Sequence, residues 1–427
     1  MSFQQGLSGL NASSKNLSVI GNNIANANTF GNKSSRAEFA DVYANTLNGS
    51  GTNNIGIGTN LVAVAQQFTQ GNITTTQNPM DLAINGSGFF QVSTEGSPIQ
   101  YTRNGQFKID REGYFVNNAQ LRLMGYPADA NGVIQPGQSM ALRLPTGGIE
   151  PQVSTRIDIQ MNLDSRRTAT GLGAAPGIDF NDASTYNNAT SLTVYDVRGQ
   201  EVALTLYFQK TDTVNPGGPN TLEWNVFATA NGLPVGGTPP TPFTTLVFPA
   251  DGSAPTAPLG PVVMPQIVAG NNLQGAVIVP IDNLEIDLSG ATQFGSPFGV
   301  TDLRQDGYSA GQLTSVNIES SGIVMARYSN GRSRPAGQIE IATFRNPQGL
   351  QPVGGSMWNA TFASNEAIRG VPGEGSLGVL QAGALEESNV DLTGELVSMI
   401  TAQRIYQANA QTIKAQDQIL QTLVNLR

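Results

Sequence analysis

Residues 391–427 read DLTGELVSMITAQRIYQANAQTIKAQDQILQTLVNLR, and their spacing decides the fold. Leu392, Met399, Tyr406, Ile413 and Leu420 recur every seven residues on one line, and Leu396, Gln403, Ala410, Asp417 and Val424 form a second. Such a recurrence marks an amphipathic helix that packs along helical partners. Asp391 and Thr393 stand where an N-cap stands, and Glu395 falls in the first turn, where the helix dipole favours an acid. The spacing predicts one helix of roughly 35 residues, a length typical of coiled coils and assemblies.

The other end of the chain carries a weaker version. Phe3, Leu10, Leu17 and Ile24 lie seven apart, with Leu7, Ser14 and Gly21 on the companion line. Gly6, Gly9, Gly21 and the many Asn and Ser residues lower the helix propensity. Ser14, Gly21, Gln403 and Asp417 are small or polar at seam positions. A closed two-helix pair would place them poorly, whereas helices that each pack against several neighbours would tolerate them. If the two ends pair, the chain leaves a helical stem, builds inner domains and returns to the stem.

Between the ends the texture is β. Phe107–Ile109 and Tyr114–Val116 flank the turn Asp110-Arg111-Glu112-Gly113, and Asn131-Gly132 is a two-residue turn signal. Leu192–Tyr195 and Val202–Phe208 flank Asp196-Val197-Arg198-Gly199, with Val202, Leu204, Leu206 and Phe208 on one face. Residues from about 26 to 71 show little periodicity. The expected fold class is α+β, with terminal helices paired as a coiled-coil-like stem and mainly β domains inserted between them. The expected boundaries are 1–25 plus 391–427 for the helical polymerisation domain and 26–75 plus 375–390 for a linker. A first β domain then takes 76–150 plus 303–374, and an outer β domain takes 151–302.

Composition removes several function classes. The chain has no Cys and no His, so thiol nucleophiles, disulfides, imidazole bases and the commonest zinc and haem ligands are gone. No cofactor or metal is expected. Only 12% of residues are charged, against about 25% in an average globular protein, and the net charge is −9. Without a Lys/Arg cluster, nucleic acid is not a partner to expect. Apolar runs are too short for membrane insertion. The N-terminus lacks the basic and apolar regions of a cleavable signal peptide.

Motif matches of other kinds are weak. Gly373-Glu374-Gly375-Ser376-Leu377-Gly378 fits G-x-G-x-x-G, but Pro372 precedes it and no helix opens inside it, so it reads as a turn. Asp110 with Glu112 reads as a hairpin turn rather than a catalytic pair. Glu386 with Glu387 reads as a polar approach to the last helix. The main rival to a structural polymer is an extracellular β-rich enzyme or adhesin, and such a protein would be expected to carry a signal or an anchor.

The end segments also resemble a known family. Ser8-Gly9-Leu10-Asn11 through Ile20-Gly21-Asn22-Asn23-Ile24-Ala25-Asn26, and then Ala27-Asn28-Thr29-Phe30-Gly31-Asn32-Lys33, resemble the opening of the flagellar rod and hook proteins. Asn32 stands where that family usually has an aromatic residue. Gly383-Ala384-Leu385-Glu386-Glu387-Ser388-Asn389-Val390-Asp391-Leu392, continuing to Lys414, is similar to the family's closing helix. Asp81–Ile84, Gly88–Phe90 and Tyr101–Phe107 are similar to its first β domain. Ser191–Asp196 with Leu204–Phe208 resembles the outer domain of the hook proteins within it.

The resemblance implies a non-enzymatic subunit that self-assembles into a curved, flexible tube. The tube links rod to filament, transmits motor torque as a universal joint and passes exported subunits through a central channel. A distal rod or hook–filament junction protein is the alternative. It also implies domains stacked radially outward and a place at the cell exterior, reached without a cleaved signal peptide. The implied partners are other copies of the chain, the distal rod, the hook cap, the junction proteins and the flagellar type III export apparatus. Phe3, Leu7, Leu10, Leu17, Ile24, Leu392, Leu396, Met399, Tyr406, Ile413 and Leu420 become the candidate polymerisation seam. Asn26, Thr29, Gly31 and Lys33 carry the family motif. Gln407, Gln411, Gln418 and Gln421 lie on a polar stripe away from the main heptad line and are the candidates to line the channel.

Overall fold

The computed structural model describes residues 2–42, 56, 58–94, 96–129, 132–170, 177–213, 221–268, 270–271 and 275–425. Asn131, half of the two-residue turn signal, lies outside them. The chain divides into two compact units. One comprises residues 1–146, 314–327 and 333–427, and the other 147–313 and 328–332.

The first unit holds both helices, α1 (Ser2–Ala25) and α2 (Leu392–Asn425). Asp391 caps α2 through its Oδ1, which accepts from Thr393 N at 3.0 Å, and its carbonyl accepts from Glu395 N. Hydroxyls along both helices turn back onto the preceding turn, as Ser13 does to Gly9 O and Thr412 to Ala408 O. That satisfies polar side chains without a partner helix.

The helices run antiparallel. Asn23 Nδ2 donates to Glu395 Oε1 at 2.8 Å near one end, and Gly6 meets Ile413 near the other. A Cβ on Gly6 would lie 3.0 Å from Ile413 Cγ1, and one on Gly9 would lie 2.8 Å from Asn409 Nδ2. The glycines that weaken α1 as a helix therefore let α2 come close. Four residues of α1 precede Gly6 and twelve of α2 follow Ile413, so α2 projects about 12 Å past the start of α1.

The sequence reading found little periodicity from 26 to 71, yet a two-stranded antiparallel ribbon lies there, Ser35–Val42 with Gly58–Gln66. It leans on α1, and its register slips between Glu38 and Phe39. Its residues are half-buried or exposed, so no clean alternation was available to read.

The β part of the first unit is built around Phe89–Ser93, which pairs with Gln100–Thr102, Arg122–Pro127 and Ile341–Thr343. Leu82, Ile84, Phe90, Val92, Leu123, Ile339 and Ile341 are all fully buried. Each such side chain contributes about 1.5–3 kcal/mol of hydrophobic stabilisation. On the opposite face Phe89, Tyr101, Phe344 and Trp358 pack edge to face. Two short ladders bring the end of the chain back to its beginning: Ala384–Glu386 pairs with Ile73–Thr75, and Val379–Ala382 with Leu82–Asn85.

In the second unit, Glu201–Thr213 pairs with Asn188–Tyr195 and Thr221–Ala230. Val202, Leu204, Leu206 and Phe208 are fully buried, as their alternation implies. They share a core with Ile157, Ile159, Trp224 and Ile286. The turn at Asp196 is held by its carboxylate, which accepts from the backbone N–H groups of Arg198, Gln200 and Val279.

Candidate functional site

On α1 the most buried line is Gly6, Ser13 and Ile20, spaced by seven. It lies one residue before the line Leu7–Ser14–Gly21 that the sequence suggested, and Leu7 is exposed. Leu10, Leu17 and Ile24 are half-buried, and the side chain of Phe3 lies outside the described residues. Gly6 and Gly9 face α2, where a Cβ would press on Ile413 and Asn409, so glycine permits the close approach there.

On α2, Ala402 is buried, and Met399, Asn409 and Ile413 are half-buried along the same side. Leu392, Leu396, Tyr406 and Leu420 are exposed. Leu420 shares the heptad line of Ile413 but sits in the stretch that α1 does not reach. The structure thus brings Ile413 against Gly6 of α1 and leaves Leu7, Leu392, Leu396, Tyr406 and Leu420 on open surface.

One line of that surface changes character along α2. Leu396 and Ile400, 50% and 52% exposed, are followed at spacings of seven, four and seven by Gln407, Gln411 and Gln418. All three glutamines are exposed. Gln421 is exposed beside them, and its Nε2 donates to Asp417 Oδ2.

The family-motif residues gather at the root of the stem. Asn26 and Thr29 hold the turn that ends α1: Thr29 N donates to Asn26 O, and Asn26 Nδ2 to Asn22 O. Gly31 has φ +68°, and a Cβ there would lie 2.4 Å from Asn104 N, so no other residue fits. Lys33 is buried. Its Nζ donates to Glu386 Oε1 at 2.5 Å and to Thr69 O at 2.7 Å. Glu386 Oε2 accepts from Arg103 Nη1 at 3.0 Å, and Arg103 also reaches Ile84 O and Gly86 O. The side chains of Lys33, Glu386 and Arg103 are 1%, 0% and 6% exposed. Burial pushes the Lys33 ammonium and the Arg103 guanidinium below their ordinary pKa values, and Glu386 opposes the shift in both.

Glu386 corrects the sequence reading directly. It is not part of a polar approach to α2 but a strand residue in a buried ion cluster. Arg103, Glu386, Asn23 and Asn389 were all missed as functional positions. Asn23 bonds Ser35 through both N–H and C=O, and Asn389 ties Ser34 N to the carbonyls of Gln67 and Thr69. A buried charge inside a β segment has no local signal apart from its neighbours' apolarity, and here Leu385 provided only one side of that.

The other candidates keep their plain readings. Asp110 Oδ1 accepts from Glu112 N and Tyr114 N, which closes the hairpin turn. Gly373 N donates to Gly378 O within a turn, and no helix begins there. Among the described residues no helix is long and apolar enough to cross a membrane.

Comparison with known proteins accounts for nearly the whole chain. Residues 3–33 match the flagella basal body rod protein family, and 83–165 the flagellar hook protein FlgE/F/G D1 domain. Residues 162–308 match the flagellar basal body protein FlaE D2 domain, and 381–426 the flagellar basal body rod FlgEFG protein C-terminal family. The chain is 39% identical over 429 residues to the flagellar hook protein FlgE of Salmonella typhimurium, covering 100% of both chains. It is 38% identical over 432 residues to that of Escherichia coli, again across 100% of both. The Helicobacter pylori flagellar hook protein FlgE2 is similar in fold, with a TM-score of 0.53 at 14% identity, over 73% of this chain and 100% of that one. With identity at this level along the full length of both chains, this protein belongs to the FlgE family of flagellar hook proteins.

Proposed function

We propose that copies of this chain polymerise through the face of the stem that the α1–α2 pair leaves open. The chain is a structural subunit of the flagellar hook and not an enzyme. The observation that carries the proposal is the apolar surface of α2 at Leu396, Val397 and Ile400, each at least 50% exposed. Together with Leu392 it forms a contiguous patch of the kind that marks an interaction site. The partner is a second copy, since a hook subunit meets mainly itself.

The amide face that continues this line, Gln407, Gln411, Gln418 and Gln421, is the part assigned to the central channel. Neutral amides hold water without strongly binding apolar or charged stretches of a chain in transit. The partners at the ends of the polymer are the distal rod and the junction proteins, with the cap and the type III export apparatus acting during growth. This part rests on family resemblance.

Leu396→Asp and Ile400→Asp test the polymer contact. A charge buried between copies costs several kcal/mol per contact, while in the monomer these side chains are 50% and 52% exposed, so the charge stays in reach of water. Both variants should keep wild-type melting curves and form no hooks on cells. Hooks of normal length from either variant rule the contact out. Ile413→Asp does not serve, because Ile413 packs on Gly6 within the stem.

A further inference from the structure

Glu386 joins segments that are far apart in the chain. Its carbonyl accepts from Gly31 N at 2.8 Å, and its Oε1 from Lys33 Nζ and from Gly71 N at 3.0 Å. Its Oε2 accepts from Arg103, which is itself fixed to Ile84 O and Gly86 O. The cluster holds two cations and one anion, almost wholly removed from water. Lys33 and Arg103 both bond the Glu386 carboxylate, and the Arg103 charge opposes that on Lys33. Without the carboxylate, two like charges would face each other in a dry interior, where repulsion and desolvation are both large.

We propose that Glu386 is a latch on the root of the stem. Residues 31–35 and 67–71 close onto the β core only when strand Ala384–Glu386 has returned and placed its carboxylate between Lys33 and Arg103. Glu386 lies 353 residues from Lys33 and 283 from Arg103. The same return segment supplies the ladder partners of Ile73–Thr75 and Leu82–Asn85. A chain that has not yet folded its residues beyond 379 therefore has unpaired strands and two uncompensated cations at the joint. The latch keeps the root open until the chain is complete. For a self-assembling subunit this delays the setting of a stem that carries exposed apolar surface, and that last step alone rests on the proposed function.

Hydrogen exchange on the purified full-length monomer tests the latch without any need for hooks. Glu386→Gln keeps the shape and removes the charge. Protection at the amides of Gly31, Ser34 and Gly71 should fall at least about a hundredfold, while Val92, Leu123, Leu206 and Trp224 stay unchanged. Adding Lys33→Met to Glu386→Gln removes one of the two cations and should recover at least about tenfold of the lost protection. Such a rescue is not expected of a residue that only fills space. Lys33→Met alone leaves Arg103 and Glu386 paired and should cost less than about tenfold. This single variant keeps the test open if Glu386→Gln fails to accumulate. The latch is overturned by unchanged protection at the root in Glu386→Gln. It is equally overturned by a uniform loss that includes Val92 and Leu123, by a double variant no better protected than Glu386→Gln, or by Lys33→Met losing as much as Glu386→Gln.

Discussion

Lys33 Nζ lies 2.5 Å from Glu386 Oε1, with both side chains sealed from solvent, so a residue from the start of the chain meets one near its end. Removing Glu386 from this pair costs about 3–5 kcal/mol, because Lys33 and Arg103 are then left without compensation, whereas removing Lys33 leaves Glu386 paired with Arg103. The contact makes the root of the stem a defined joint rather than a loose connection between helices and β core.

Gly31 shares that joint, and its replacement should open it. The left-handed φ costs a non-glycine residue about 1–2 kcal/mol, and the Cβ would also press on the backbone of Asn104. Gly31→Ala should lower the urea midpoint of the monomer and reduce hooks on cells. An unchanged midpoint would show that the turn relaxes freely.

Tyr126 predicts an alkaline limit. Its hydroxyl donates to Glu340 Oε1 at 3.0 Å, and burial, followed by the bond to Glu340 and its charge, pushes the phenol up to about 12 from an ordinary 10.0. A raised phenol pKa means that the folded state holds the proton longer than the unfolded state. The stabilisation from Tyr126 is therefore complete below pH 10.0 and lost as pH rises through about 12. The difference in tyrosinate absorbance between the natural chain and Tyr126→Phe should show a transition near the upper value. A transition near 10.0 would contradict the geometry.

Gln411 and Gln418 test the channel assignment. Both are exposed on α2. Gln411→Leu with Gln418→Leu should permit hook assembly and slow the growth of the filament beyond it, because an apolar wall retains a passing chain. Filaments growing at the normal rate through such hooks would remove these residues from the channel.

The sequence by itself determined what depends on near neighbours in the chain. The seven-residue recurrence and Asp391 specify α2, since capping and helix periodicity act within a few residues. The alternation of Val202, Leu204, Leu206 and Phe208 specifies a half-buried strand, and the residue types of Asp196–Gly199 specify its turn. The family motif was legible too, down to Gly31 and Lys33. Only the tertiary structure decided which line of α1 meets α2. The hydrophobic pattern favours Leu7, yet the line of Gly6 and Ser13 wins, because close packing of two helices depends on the room between backbones as well as on apolar side chains. Only the tertiary structure could turn Glu386 from an apparent surface acid into the centre of a buried cluster. Its partners lie hundreds of residues away, and no local pattern records a contact that exists only once the two ends of the chain have come together.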